Sequence, residues 1–417
     1  MGREPVQRTQ GEPGLGLGLL VALGVLAAAG PLSVDFYLPS FPQVLESLHT
    51  DATSVQLTLT GFLVGLGVGQ VAWGPLSDRF GRRRPLLIGS SAAVVAAAVA
   101  VCAPNVEVLI AARFVQAVAG AAGVVLSRAV ITDRAQGFVA ARMLAVLQTI
   151  TMVAPIIAPI VGGLLAGRVS WRGVLAIVLA VTVLQAVGAF VFVRESLPAA
   201  DRAPRLRYTY VWQLFARPGF LGYAATVAFT FGTMMAYISS SSFVYQRVLG
   251  LPPWAYGLGF ALNAVGLLIG GATSVRLARR KVHPARVIAV ALPVALAGSL
   301  AILGIVLAAQ AGGAPAWLLV IPLWFAITAV GFTQGNATAL AMEQSRGIAG
   351  AGSAVVGGLM FLVGGIVSPL GGLAGDDTAL PFAIVMASSA VCAVIAFAVA
   401  RGVVRRHPEL EEGYSIG

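Results

Sequence analysis

Twelve stretches of this chain run apolar for about 18 residues or more, and that repetition leaves few folds open. A helix of that length, nearly free of charge, is long enough to cross the hydrocarbon core of a bilayer. The runs lie at about 14–34, 53–73, 85–103, 106–130, 140–167, 173–193, 217–243, 254–275, 285–309, 315–341, 347–374 and 379–400. Inside lipid every backbone N–H and C=O must be satisfied within the spanning structure, so such runs are read as helices. Composition agrees: the 417 residues are 58% hydrophobic and only 10% charged, with mean hydropathy +0.90. A soluble domain carries about 25% charged residues. The first run outlasts the roughly 7–15 apolar residues of a signal peptide and is expected to stay as a span. The chain is therefore an all-α integral membrane protein of twelve transmembrane helices.

Basic residues order those spans. Cytoplasmic loops carry the excess of Lys and Arg, and alternate loops here are basic. One side collects Arg3, Arg8, Arg79, Arg82, Arg83, Arg84, Arg128, Arg134, Arg142, the cluster Arg194–Arg217, Arg276–Arg286, Arg346, and Arg401, Arg405 and Arg406. The other side has Arg168, Arg172 and Arg247, with Asp376 and Asp377 adding acid. An even number of spans with both termini cytoplasmic follows. The net charge of +11 thus sits in membrane-flanking loops, and no nucleic-acid partner is expected. Lys281 is the only lysine, which with abundant Ala and Gly suggests a GC-rich bacterial genome and hence the bacterial cell membrane.

The halves look duplicated. Gly271-Ala-Thr-Ser-Val-Arg276-Leu-Ala-Arg279-Arg280-Lys281 repeats the pattern of Gly74-Pro-Leu-Ser-Asp78-Arg79-Phe-Gly81-Arg82-Arg83-Arg84, with Val275 in place of Asp78 and Ala278 in place of Gly81. A fainter echo joins Pro159-Ile-Val-Gly162-Gly163 to Pro369-Leu-Gly371-Gly372. Two pseudo-symmetric six-helix bundles are expected, at 14–193 and 217–402. A cytoplasmic linker at 194–216 joins them, with tails at 1–13 and 403–417. Duplicated bundles are a secondary-transporter architecture. In the linker, Tyr208, Tyr210, Trp212, Leu214 and Phe215 suggest a short amphipathic helix at the inner interface.

The Gly74–Arg84 stretch is read as a tight loop between spans two and three. Gly74 and Gly81 suit abrupt changes of direction, and Asp78 can pair with the arginines or meet a helix N-terminus. Such a loop can latch one helix to another, whereas a plain positive-inside anchor would need the arginines alone. Asp133, just after span four, is placed to meet them. Before span two, Thr53-Ser-Val-Gln56 reads as a capping box, and Gly61, Gly65 and Gly69 form a stripe that admits a close neighbour.

Charges within a membrane are functional candidates. Arg113 lies well inside span four, where it needs a partner or a wet cavity. Asp35 closes span one beside the expected cavity. Desolvation favours its neutral form and a nearby arginine its charged form, a competition through which a proton could be exchanged for cargo. In span five, Pro155 and Pro159 kink the helix while Ala154, Ala158, Gly162 and Gly163 leave one face small, fit to press against a neighbour and seal a pore. Export of amphipathic compounds wants an apolar, aromatic cavity with a few polar groups. Tyr37, Phe62, Gln116, Phe229, Tyr237, Asn263, Trp324, Phe332, Gln334, Asn336 and Phe361 are the candidates for it. Cys102 and Cys392 fall inside apolar runs and three scattered histidines form no cluster, so no disulfide, metal or cofactor is expected. No nucleophile–base constellation suggests an enzyme.

Together these residues resemble the major facilitator superfamily, and within it the twelve-span drug:proton antiporters of the Bcr/CflA group. Asp35-Phe-Tyr-Leu-Pro39 with Phe41-Pro42, the Gly74–Arg84 loop, Arg113 with Gln116 and Gly120, the Pro155–Gly163 helix and Phe243-Val-Tyr245 carry the likeness over nearly the whole chain. The resemblance implies that Arg113 belongs to the proton-coupling motif, the Pro155–Gly163 helix to the antiporter motif, and the loop to a lock of the outward-facing state through Asp78. Phe36 stands where Met is frequent, and Ala154 and Ala158 where Gly is frequent. The implied activity is proton-driven efflux of amphipathic drugs by a monomer, energised by the proton gradient. A metabolite transporter on the same fold is the alternative; a receptor or channel fits the repeat, Arg113 and the loop less well.

Overall fold

A computed structural model of the chain describes residues 17–135, 137–202, 214–345 and 349–406. Eleven helices among them are long and apolar enough to cross a membrane, and a bent pair makes the twelfth span. That first span is broken: after α1 (Leu17–Ala27), the stretch Ala29–Ser47, which begins with α2 (Ala29–Asp35), turns away at 51°. The cause is Pro31, whose ring cannot share an α-helix with the carbonyl four residues back, at Ala27. The chain then tightens through Leu38–Ser40 into α3 (Phe41–Ser47), so the segment after Asp35, expected as a helix end and loop, is largely helical.

The remaining spans are α4 (Ala52–Phe80), α5 (Arg83–Val101), α6 (Val106–Arg134), α7 (Gly137–Ala166), α8 (Trp171–Phe192), α9 (Pro218–Phe243), α10 (Pro253–Arg279), α11 (Pro284–Gln310), α12 (Val320–Glu343), α13 (Ala349–Leu370) and α14 (Leu380–Arg406). Their packing repeats between the halves. Helix α4 packs on α6 as α10 does on α12, α5 on α8 as α11 on α14, and α5 on α6 as α11 on α12. Between the halves, α4 meets α13 and α7 meets α10, again a symmetric pair. The Gly61, Gly65 and Gly69 stripe faces α6, where an added Cβ at Gly65 would lie 2.9 Å from Ala117 Cβ.

Two local readings need correction. Asp51, not Thr53, caps α4: its carboxylate accepts from Ser54 N–H (2.9 Å) and the Ser54 hydroxyl (2.8 Å). Those two bonds hold Asp51 below the usual carboxylate range. Gln56 is therefore two residues too deep to reach back to the cap, and it reaches Ser239 O and Ser240 Oγ of the other half instead (both 3.3 Å). Second, the Gly74–Arg84 stretch is a loop only at Gly81 and Arg82. Gly74 lies inside α4, with nothing within 4 Å of where its Cβ would be. Its counterpart also runs on as helix, through Ala278 to Arg279, and there Lys281 takes the left-handed turn (φ 58°). Of the linker aromatics, Tyr208, Tyr210 and Trp212 lie outside the described residues; Leu214 is buried and Phe215 exposed.

Candidate functional site: the cavity between the halves and its two ends

A cavity of about 270 Å³ lies between the halves. Asp35, Pro31 and Leu59 come to it from the first half, with Gln70, Thr151 and Pro155; Tyr237, Phe260, Asn263 and Phe361 come from the second. Asp35 has no hydrogen-bond or ion partner among the described residues. Opposite it, Tyr237 stacks on Phe260 (centroids 5.5 Å apart) and accepts a bond from Asn263 Nδ2 (3.1 Å). The Asn263 Oδ1 is left without a partner. The wall thus offers one carboxylate amid mostly apolar and aromatic surface, with the side-chain amides of Gln70 and Asn263 as further polar groups.

Arg113 lies beside the cavity rather than in it. It is fully buried, and its guanidinium donates to Gln116 Oε1 and to Ser33 O, both at 2.8 Å. The rings of Phe62 (4.3 Å) and Tyr37 (5.1 Å) cover it, so carbonyl, amide and aromatic faces replace water around the charge. Ser33 O is free to accept because Tyr37 N–H turns back to Val34 O (3.0 Å) as the helix tightens. Arg113 thereby fixes the end of α2 two residues before Asp35. An ion pair between Arg113 and Asp35, the acid–base partnership that the sequence suggested, is not formed; the two terminal nitrogens of the arginine bond elsewhere and its Nε is buried without a partner among the described residues.

Only three of the expected cavity residues, Tyr237, Asn263 and Phe361, line it. Tyr37, Phe62 and Gln116 are spent on Arg113. Phe229 packs in a second-half cluster with Tyr223 and Phe397. Trp324 and Phe332 line a different groove on α12. Gln334 turns to Met360 Sδ (3.3 Å), and Asn336 is used by its own helix at Phe332 O (2.7 Å).

The hydrogen bonds and ion pairs between the halves, among the described residues, all use the arginine-poor side of the cavity. Gln56 and Thr60 bridge from α4, Gln246 Nε2 donates to Pro39 O (3.0 Å), and Arg247 pairs with Glu46. Arg247 also holds Asp376 (3.4 Å), which makes it a bridge that the sequence showed only as an exception to the charge pattern. One helix pair, α7 and α10, is drawn tight at this end from both sides. A Cβ on Gly163 would fall 2.5 Å from Pro253 O, and one on Gly257 2.5 Å from Pro159 O. Gly162 instead lies against Phe36 of its own half.

At the arginine-rich face, Arg82 is the hub. It binds Asp78 (2.5 Å) and Asp133 (2.9 Å), and Ser77 Oγ (2.7 Å). Burial works against its charge, but the bonds and charges of Asp133 and Asp78 outweigh that and raise it above its ordinary value. Glu195, overlooked in the sequence, accepts from Arg82 N–H (2.8 Å) and Arg83 N–H (3.3 Å), the open start of α5. Burial opposes the Glu195 charge, yet these amide bonds hold it below the usual range. Gly81 has φ +87° and is crowded by Glu195 and Arg202, so no other residue fits. Arg79 lies exposed over Phe80, and Arg83 reaches Phe190 O (3.4 Å). All these partners belong to the first half and the linker.

A sequence profile of the Major Facilitator Superfamily matches residues 21–369. The chain belongs to that superfamily. Over 91% of its length the transporter is 35% identical to the uncharacterized MFS-type transporter YdgK of Bacillus subtilis strain 168, covering 94% of that protein. Over 91% again it is 30% identical to the bicyclomycin resistance protein homolog of Haemophilus influenzae Rd, of which 94% is covered. Multidrug resistance protein D of Escherichia coli K12 is 27% identical over 84% of this chain and 88% of its own. These relatives set the transporter among the Bcr/CflA-type members. In fold it is similar to a bacterial homologue of the human lysosomal transporter Spinster in an inward-facing, unoccupied conformation, with TM-score 0.72 and 17% identity over 94% of this chain and 97% of that one.

Proposed function

We propose that this transporter exports amphipathic drugs across the bacterial cell membrane in exchange for protons, by alternating access with its arginine-rich face cytoplasmic. One observation carries the reading: Asp35 stands partnerless in the apolar, aromatic wall of a cavity built by both halves. A carboxylate so placed holds a proton, or a cationic or hydrogen-bond-donating group of cargo, and not both at once. That exclusion is what exchange requires. Arg113 positions Asp35 through Ser33 O and leaves its charge uncompensated, so the acid stays available. The resistance names of the relatives support drugs as cargo. Closure of the arginine-poor end makes the described conformation the one that loads from the cytoplasm.

Everted vesicles test this. Drug addition collapses an imposed pH gradient in vesicles holding the wild type and leaves it intact with Asp35→Asn, although that variant inserts normally. Unaltered exchange in Asp35→Asn removes the carboxylate from the mechanism. A gradient that no drug disturbs but an amino acid or sugar does makes the protein a metabolite transporter.

A further inference from the structure

The second copy of the arginine loop has kept its cations but has Val275 where the first has Asp78. In the first half, Asp78, Asp133 and Glu195 answer the arginines. From Arg202 to Met342 the sequence contains no Asp or Glu. Yet Arg276, Arg279, Arg280, Lys281 and Arg286 gather within that span at the same face. Arg279, Arg280 and Arg286 are exposed, and none of the three is in an ion pair among the described residues.

Beside them a groove of about 510 Å³ runs along α11 and α12, walled by the second half alone and distinct from the central cavity. Arg286 stands at one end; Val287 and Ala291 form the floor and Val290 and Phe325 the rims, 70% and 52% exposed. Of the other polar groups in the lining, the Thr328 hydroxyl is bound to Trp324 O (2.7 Å) and the Trp324 indole N–H to Leu262 O (3.2 Å). The eight helical steps from Arg286 to Val294 span about 12 Å, most of the roughly 15 Å of hydrocarbon in one leaflet. An apolar trough of that length, ending in unanswered cations at the membrane surface, has the polarity of a lipid. It lacks the convergent polar groups that orient a compact ligand.

We propose that this groove holds an anionic phospholipid, one acyl chain lying between α11 and α12 and its phosphate on Arg286, with Arg279 and Arg280 alongside. Native mass spectrometry of the full-length protein, offered equal phosphatidylglycerol and phosphatidylcholine, tests it. The wild type is expected to retain phosphatidylglycerol with a preference on the order of tenfold. Arg286→Gln weakens that preference, and the combined Arg279→Gln, Arg280→Gln, Arg286→Gln variant abolishes it. Val290→Trp fills the groove without touching a charge and loses the lipid as well. Each variant is compared only after monodisperse elution, and the single Arg286→Gln serves if the triple variant does not assemble. Equal retention of both lipids by the wild type overturns the proposal. So does a preference that survives the triple variant, which puts the lipid on another basic loop, or one that survives Val290→Trp, which makes it a matter of surface charge. Thermal stabilisation by inorganic phosphate equal to that by phosphatidylglycerol overturns it too.

Discussion

If the arginine-poor end is sealed by backbone drawn against glycine, one methyl group at the right glycine should open it. Gly163→Ala places a Cβ 2.5 Å from Pro253 O and 3.2 Å from the Pro253 carbonyl carbon, both in the other half. Neither atom is the end of a flexible side chain, so α7 and α10 must part by roughly 1 Å to restore van der Waals separation. Overpacking of this kind costs about 1–3 kcal/mol. The contact exists only while this end is closed, so the whole cost falls on the closed state. At 1.4 kcal/mol per tenfold, the ratio of open to closed rises by about 5- to 150-fold. Ser40, fully buried near the same end, supplies the reporter. With Cys102 and Cys392 replaced by serine, Ser40→Cys is labelled by a membrane-impermeant maleimide only when the end opens, and Gly163→Ala should raise that rate by the factor above. Gly162→Ala is the control. Its Cβ would meet Phe36 O at 2.6 Å within one half, so it lowers the melting temperature without faster labelling. Wild-type labelling of a normally assembled Gly163→Ala variant refutes the seal.

Asp51→Ala removes the cap of α4 and should cost about 1 kcal/mol, read as a lower melting temperature in detergent. Because Ser54 holds Asp51 below the ordinary carboxylate range, the cap acts in full above about pH 4 and fades as pH falls through the lowered folded value. The gap between wild type and variant should therefore narrow in acid. Arg247→Ala breaks the ion pair to Glu46, an exposed contact worth at most about 1 kcal/mol, so maleimide labelling of Ser40→Cys should rise no more than about fivefold. High salt should have the same effect on the wild type. Arg113→Lys keeps the charge but cannot fork to Gln116 Oε1 and Ser33 O at once. Exchange in everted vesicles should fail while the protein still reaches the membrane; retained exchange would show that the charge alone suffices.

Spans were legible because apolar length is a property of one segment. What the sequence hid was set by distance or by choice among equals. Glu195 answers amides 113 residues away, and nothing near it in sequence announces that. Pro31 was visible, yet a proline within a run does not say whether the helix kinks or breaks; the close of α2 at Asp35 settles that only in three dimensions. Gln56 stood at capping-box spacing from Thr53, but Asp51 is the better acceptor and starts the helix one residue after itself. The aromatic cavity candidates misled most, since Phe and Trp in a membrane bundle suit lipid, core and cavity alike. Trp324 went to an outer groove and Phe62 to Arg113 for the same apolar reason that Phe361 reached the cavity.

The arrangement at Arg82 lets Asp78 be exchanged at little cost, as the proposed cycle requires. Asp78 has 52% of its side chain exposed while Arg82 has 11%, so their bond is held mostly by the buried partner. Arg82 also has Asp133, whose side chain is 15% exposed, and that bond does not depend on Asp78. Asp78 can therefore leave without orphaning a buried charge, which is the costly event in breaking such pairs. What it gives up is a pair whose acid is half exposed and whose arginine keeps a second carboxylate. A second-half surface that approaches as the arginine-rich end closes need offer only a comparable contact to draw Asp78 across. The second copy, with Val275 at the aligned position, has no such carboxylate to lend. Any such exchange is confined to the first half, and Arg279, Arg280 and Arg286 of the second carry no ion pair among the described residues.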